Sequence, residues 1–447
     1  MRFLILAAVA ALAGPSFSQA QTPAQTPTPA TRAMAAGYKA LMVCGALKNA
    51  EDAGGSRTVE SVEANELVGI YPELDALVRE MPVEVGERTV SVAWDPAMAP
   101  RVAVWSPDRG CAIMPVGWSG QAETVASPRP PANRDIPLAE PPSIDSPLQD
   151  AIERAFGGGY GERANTTAIV VLKDDRLIGE WYAQGFGVDT PQRTWSVAKS
   201  LAGTVIGAAV QRGEVDVNAP AAIADWSRPG DPRAAITLGQ LMRMSSGLTS
   251  DFAGNRTDAI YFGGVGVDEQ VTTWPLVAAP GSRFRYANND ILLAILSVAP
   301  TFAEHPPAEL FHWLGMYDTW AETDWRGNYV LSSQVWSTAR DLARFGQLYL
   351  HDGVVDGERV LPEGWRDYVS RASGPQPNGE QGYGATFWLF DKSEGIPADA
   401  ISANGNRGQY VIIVPSRNIV IVRRGEDPAN ARFDHIAFTR DVLAALD

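Results

Sequence analysis

The long C-terminal part of this chain has strand patterns at its two ends and helical patterns between them, an order that few folds satisfy. Thr166–Leu172 and Leu177–Tyr182 are apolar-rich runs joined by Lys173-Asp174-Asp175-Arg176. Tyr410–Val414 and Ile419–Arg423 repeat the arrangement around Pro415-Ser416-Arg417-Asn418. Each pair reads as a hairpin, and the two are expected to share one sheet, which brings the ends of the region together. Helical patterns near 146–156 and 434–446 flank the hairpins. Thr237 with Gln240, and Thr338 with Asp341, match the reciprocal capping pattern and predict helices from Leu238 and Ala339. The fold class expected is α/β (α+β): an antiparallel sheet flanked by terminal helices, with a mostly helical lobe.

Ahead of that region the composition changes three times. Met1-Arg2, the apolar run Phe3–Ala13 and Ser18-Gln19-Ala20 have the charge, core and small residues of a secretory signal, predicting cleavage after Ala20. The apolar run is too short to span a bilayer comfortably, and Gln21 offers no thiol for lipid attachment. A secreted or periplasmic protein without a stable membrane span is expected. Residues 21–33, rich in Gln, Thr, Pro and Ala, read as a tether without structure. Residues 34–126 combine an apolar helical pattern over 34–50 with alternating runs Arg88–Trp94 and Arg101–Trp105, suggesting a small α+β domain. The proline-dense stretch 127–143 reads as a linker that continues neither helix nor sheet, leaving 144–447 as the main domain. Cys44 and Cys111 are the only two cysteines, too few for a zinc cluster and suited to one disulfide in an oxidising compartment. A net charge of −15 without a basic run argues against a nucleic-acid surface and for small-molecule substrates.

Candidate chemistry sits in Thr194–Gly213, which reads as a helix ended by Gly213. Ser196 and Lys199 are three apart, a spacing that stacks two side chains on one helix face. A serine that attacks a carbonyl needs a base, and lysine serves where burial or neighbouring cations make its neutral form accessible. The chain has 37 Lys and Arg in all, of which five are lysines, and only Lys199 has a serine three residues earlier. Arginine cannot give up its proton in a protein, so a lysine here fits a site that needs a deprotonatable amine. Two later stretches could complete such a site. Tyr286-Ala287-Asn288 offers a phenol for proton transfer just before an apolar helix. Asn404–Gln409 is a glycine-rich lead into a strand, where a backbone N–H can face a developing oxyanion.

Over roughly residues 145 to 447 these motifs resemble the serine hydrolases related to class C β-lactamases and penicillin-binding proteins, which carry Ser-x-x-Lys. Ile236–Leu248 is similar to the helix and turn that follow the nucleophile there. Trp195–Ser200 and Ser337–Leu350 are most similar to the 6-aminohexanoate-dimer (nylon-oligomer) hydrolase branch. The resemblance implies Ser196 as the acylated nucleophile, Lys199 as its base, Tyr286 as proton carrier and Asn288 as the residue that orients the lysine. It also implies an oxyanion hole from the backbone N–H groups of Ser196 and Gln409. The family's third motif usually begins with Lys or His; here it reads Asn406-Arg407-Gly408, so a substrate carboxylate would need Arg407 as its cation.

The expected function is hydrolysis of small esters or amides. A D-alanyl-D-alanine carboxypeptidase or β-lactamase is the alternative enzyme, and a catalytically silent binding or sensor protein the alternative class. Plainer readings exist for each residue: Ser196 capping a helix, Lys199 on the surface, Tyr286 in the core, Asn404–Gly408 a simple turn. The histidines at 305, 312, 351 and 435 form no metal spacing and no Gly-x-Ser-x-Gly elbow occurs, so neither a metal, a cofactor nor a Ser-His-Asp triad is expected.

Overall fold

The computed structural model describes residues 26–120, 136–139, 146–249 and 257–447. Its N-terminal unit is built on the helix Pro29–Asp52. Thr28 caps it by accepting the Thr31 N–H at 3.1 Å, and Pro29 stands in the first turn, where its missing N–H costs nothing. Every residue from Ala35 to Ala46 is buried, so the helix must be covered on all sides. Lys39, the ionic residue in that run, is held by Glu63 at 2.6 Å and the Met81 carbonyl at 2.9 Å. One flank of the helix lies on an antiparallel sheet of β1 (Val83–Val85), β2 (Thr89–Val92), β3 (Arg101–Ser106) and β4 (Gly110–Ile113), in that spatial order. A disulfide joins Cys44 to Cys111 in β4, S–S 2.02 Å.

Another flank lies against the larger lobe. A Cβ at Gly37 would stand 2.1 Å from the Phe262 carbonyl oxygen, and one at Gly45 2.3 Å from the Trp336 ring. Only glycine permits that approach. The apolar residues of this helix and those of the lobe that carries Ser196 form one continuous core. The tether expected over 21–33 therefore ends early: the chain is helical from Pro29, because burial of Ala33, Ala35 and Ala36 organises a composition that has little structure of its own. The expected signal, 1–20, lies outside the described residues.

The two hairpins do share a sheet. β5 (Thr166–Lys173) pairs with β6 (Arg176–Tyr182). The short β7 (Gln192–Arg193), β8 (Thr319–Ala321) and β9 (Val335–Ser337) form a separate sheet in the order β7-β9-β8, and β10 (Val354–Val355) pairs with β11 (Glu358–Arg359). β12 (Gly382–Tyr383), β13 (Trp388–Leu389), β14 (Ile401–Gly405), β15 (Gln409–Val414) and β16 (Ile419–Gly425) complete the large sheet, ordered β12-β13-β14-β15-β16-β5-β6 and antiparallel throughout. β16 closes it, with Ile421 opposite both Ile412 and Val171.

Alternation assigns the faces. Ile169, Val171, Ile412 and Ile421 pack with Leu148, Ile152, Phe438 and Val442 of the helices Pro147–Phe156 and His435–Ala445. Val170, Val411, Val420 and Val422 point into the other core. On that face the helix Ala339–Leu350 comes so close that a Cβ at Gly346 would lie 2.5 Å from Val420. Thr338 caps this helix as expected, accepting from Asp341 N–H at 3.2 Å. The reciprocal half is absent, because the Asp341 carboxylate instead accepts from Asp318 N–H at 2.7 Å and Thr319 Oγ1 at 2.9 Å. Part of the expected linker also pairs: Ala139 N–H donates to the Leu177 carbonyl at 2.9 Å and Leu177 N–H to the Pro137 carbonyl at 2.8 Å. Proline can accept at a sheet edge although it cannot donate.

Candidate active site

The helix Val197–Gln211 starts at Ser196 and is followed by Gly213 at φ +75, the left-handed residue expected at its end. Ser196 is the N-cap residue, yet its side chain makes no capping bond, so the plainer reading of that hydroxyl does not apply. Trp195 before it has φ 50, a conformation costing an L-residue about 1–2 kcal/mol. The Arg193 guanidinium lies 3.8 Å from the Trp195 ring centroid and is itself anchored on Ser333 Oγ at 2.8 Å. That stack holds the sharp turn from β7 into the helix.

Lys199 is 1% exposed and makes three polar contacts: Ser196 Oγ at 2.9 Å, Asn288 Oδ1 at 2.6 Å and the Ser332 carbonyl at 2.7 Å. Burial, and then the Arg193 cation, push its pKa well below the usual lysine value. Oδ1 of Asn288 and the Ser332 carbonyl can only accept. A neutral amine has two N–H bonds, which those acceptors use, leaving its lone pair directed at the Ser196 hydroxyl. Asn288, the first residue of the helix Asn288–Val298, is the side chain that binds the lysine amine. Tyr286 stands over the same pair, its ring centroid 5.1 Å from Lys199 Nζ, packed against Tyr383 and Trp388. Burial raises its pKa, against a smaller opposing effect of the hydrogen bond with Ser196. The two shifts run in opposite directions, one favouring the protonated phenol and the other the neutral amine.

The third motif is only partly as expected. Asn406 lines the cleft with Ser196, Tyr286, Asn404 and Gly405. The Gln409 side chain does not: it is fully buried, its amide held by Arg424 Nε at 2.6 Å and by the carbonyls of Arg407 and Gly425. Asn406-Arg407-Gly408 is a tight turn that leads into β15, whose second residue, Tyr410, lines the same cleft. Arg407 is turned away and buried on Glu426 at 2.8 Å, so it is no cation for a substrate carboxylate. Gly408, at φ +78, cannot be replaced: a Cβ would fall 1.6 Å from Arg423 Nη1 and 2.2 Å from Asp427 Oδ2, inside a buried ion pair.

The cleft measures 380 Å³ and is completed by Gln381, Trp388, Tyr410, Arg432 and His435, all missed in the sequence. None carries a local motif; they come from the segment before β12, from β13, from β15 and from the entry to the last helix. Burial drops the His435 pKa to about 4, so the cation of this wall is the exposed Arg432. His435 stacks on Tyr410 with centroids 4.4 Å apart and contacts Gln381, which also binds Asn404. Among the described residues no group of three His, Cys, Asp or Glu side chains is placed to hold a metal ion, and no single helix is long and apolar enough to cross a membrane.

Comparison with known proteins agrees with this geometry. The Beta-lactamase family model matches residues 150–445. The 6-aminohexanoate-dimer hydrolase of Paenarthrobacter ureafaciens is 26% identical over 358 residues, 72% of this chain and 88% of that protein. A structure from Bacillus anthracis described as a 6-aminohexanoate-dimer hydrolase superposes with a TM-score of 0.57 at 21% identity, covering 70% of this chain and 87% of that one. The D-alanine carboxypeptidase AmpC of Burkholderia cenocepacia gives 0.50 at 20% identity over 67% and 99%. The two structures establish likeness of fold, and the family match reaches from just inside the first sheet-flanking helix to the end of the last. The chain belongs to the Beta-lactamase family and is a serine hydrolase.

Proposed function

We propose that the protein hydrolyses small linear amides or esters through an acyl-enzyme on Ser196. The observation that carries the reading is the fully buried Lys199, whose two acceptor partners leave its lone pair for the Ser196 proton at 2.9 Å. Ser196 Oγ attacks the carbonyl carbon as its proton passes to Lys199 Nζ. The oxygen that becomes negative is met by the backbone N–H groups of Ser196, at a helix N-terminus, and of Asn406. Collapse breaks the bond to the amine or alcohol, which takes a proton from Tyr286; the phenol recovers one from the Lys199 ammonium. Water then repeats the sequence on the acyl-enzyme and releases the acid. A cleft of 380 Å³ suits a small substrate. Incubation with a fluorophosphonate should add one label, found at Ser196 by mass spectrometry; full labelling of Ser196→Ala would sink the assignment.

A second reading, D-alanyl peptidase or β-lactamase, is favoured by Arg432, which offers the cleft a cation for a substrate carboxylate. Ser196-dependent labelling by a fluorescent penicillin would support it, and no labelling at high probe concentration would count against it. Export belongs to the proposal too, supported by the sequence of residues 1–20 and by the Cys44–Cys111 bridge. A mature chain starting at Gln21 in the extracytoplasmic fraction is the expected result.

A further inference from the structure

The turn between β14 and β15 is gripped from outside the family domain. Arg407 has φ 57 and ψ 27, a left-handed conformation that persists in a residue with a side chain only where the surroundings over-determine it. Here its guanidinium does so. Nε donates to Glu426 Oε2 at 2.8 Å, Nη1 to the Val68 carbonyl at 2.9 Å, and Nη2 to the Asn65 carbonyl at 2.8 Å, with longer contacts to the carbonyls of Gly69 and Glu426. Asn65, Val68 and Gly69 belong to the N-terminal unit, well before residue 150, where the family match begins. Their loop is itself keyed in place. Gly69, at φ +62, has the site of a missing Cβ 2.6 Å from Pro428 Cβ, and its carbonyl accepts the Ala429 N–H at 2.7 Å. A buried Arg57–Glu66 pair at 2.9 Å secures the other end.

Across the turn from this anchor, Asn406 lines the cleft beside Ser196. We infer that the N-terminal unit is a working part of the catalytic site: loop 65–69 holds Arg407, and Arg407 as a positioning residue sets the Asn404–Asn406 wall against Ser196. A planar fork of five donors can serve four carbonyls and a carboxylate at once, which an ammonium cannot. A misplaced oxyanion donor weakens the transition state more than the bound substrate, so the loss should fall on kcat and leave KM little changed.

This inference rests on Ser196 as the nucleophile, and the test separates the two. Arg407→Lys and Gly69→Ala loosen the grip from opposite sides. Trp320→Phe is the control, since Trp320 Nε1 bonds the Pro107 carbonyl at 3.0 Å across the same seam without touching the turn. With each variant shown folded by circular dichroism, ester turnover and fluorophosphonate labelling rates are measured. The grip variants should lose about 10²-fold in kcat, the cost of one lost oxyanion donor, while the control turns over like the parent. Should Arg407→Lys not fold, Gly69→Ala alone decides. A folded grip variant with parental kcat, or a control that falls as far as the grip variants, overturns the positioning role. Labelling that survives in Ser196→Ala overturns the nucleophile assignment instead, whatever the Arg407 variants do.

Discussion

Replacing Lys199 by arginine removes the base and leaves the charge. The amine sits 1% exposed among three oxygens at 2.6–2.9 Å, two of which are acceptors that consume the N–H bonds of its neutral form. A guanidinium has no lone pair for the serine proton, and its permanent charge would stand near Arg193. Loss of general-base catalysis costs about 10²–10⁴-fold, or about 3–5 kcal/mol of transition-state stabilisation. The pH profile carries a second signature. A base works only when neutral, and burial and Arg193 lower the Lys199 pKa, so the rising limb of kcat/KM should lie well below lysine's usual value of about 10.4. Tyr286 is shifted the other way and keeps its phenol proton, so it should contribute no limb in the neutral range. The assay is the burst of p-nitrophenol from p-nitrophenyl acetate between mildly acidic and alkaline pH, on parent and folded Lys199→Arg. A variant that acylates at the parental rate, or a parent whose rate rises only where ordinary lysines and tyrosines titrate, would refute lysine as the base.

Tyr286→Phe keeps the ring packed on Tyr383 and Trp388 but removes the leaving-group donor. Amide turnover should fall by about 10²–10⁴-fold and p-nitrophenyl ester turnover much less, since that leaving group departs without a proton; equal losses would contradict the role. Cys44→Ala/Cys111→Ala opens a loop with a sequence separation of 67 residues and should cost about 4 kcal/mol in the chain-entropy account, read from urea midpoints with and without reductant. Gly45→Val forces atoms into the Trp336 ring, 2.3 Å from the glycine's missing Cβ, and should destabilise the whole molecule by about 1–3 kcal/mol or more. A lower melting temperature of the lobe that carries Ser196 would register it; an unchanged one would mean that the two units melt separately.

The local patterns were legible because they depend on neighbours in sequence. Apolar-rich runs and turn residues marked β5, β6, β15 and β16. The three-residue spacing placed Ser196 against Lys199, and the Thr237–Gln240 capping box formed as read, with the two bonds at 2.9 and 3.2 Å. The resemblance supplied Tyr286 and Asn288, which lie outside the reach of helical spacing from Ser196. What a chain segment does across space was decided by packing alone. Nothing local shows that Thr338's partner Asp341 will turn to Asp318, or that Ser332 will lend its backbone carbonyl to Lys199. Gln409 and Asn406 lie three residues apart in one glycine-rich run, and only the direction of the tight turn, held at Arg407 by carbonyls some 340 positions earlier in the chain, leaves one on the cleft and buries the other. The N-terminal helix is the largest case. Its Ala- and Gly-rich sequence reads as an ordinary buried helix with no stated partner, and the absence of side chains at Gly37 and Gly45 becomes meaningful only once the Phe262 carbonyl and the Trp336 ring fill those spaces. Sequence determines which surfaces a segment must bury; which other segment buries them is a property of the assembled core.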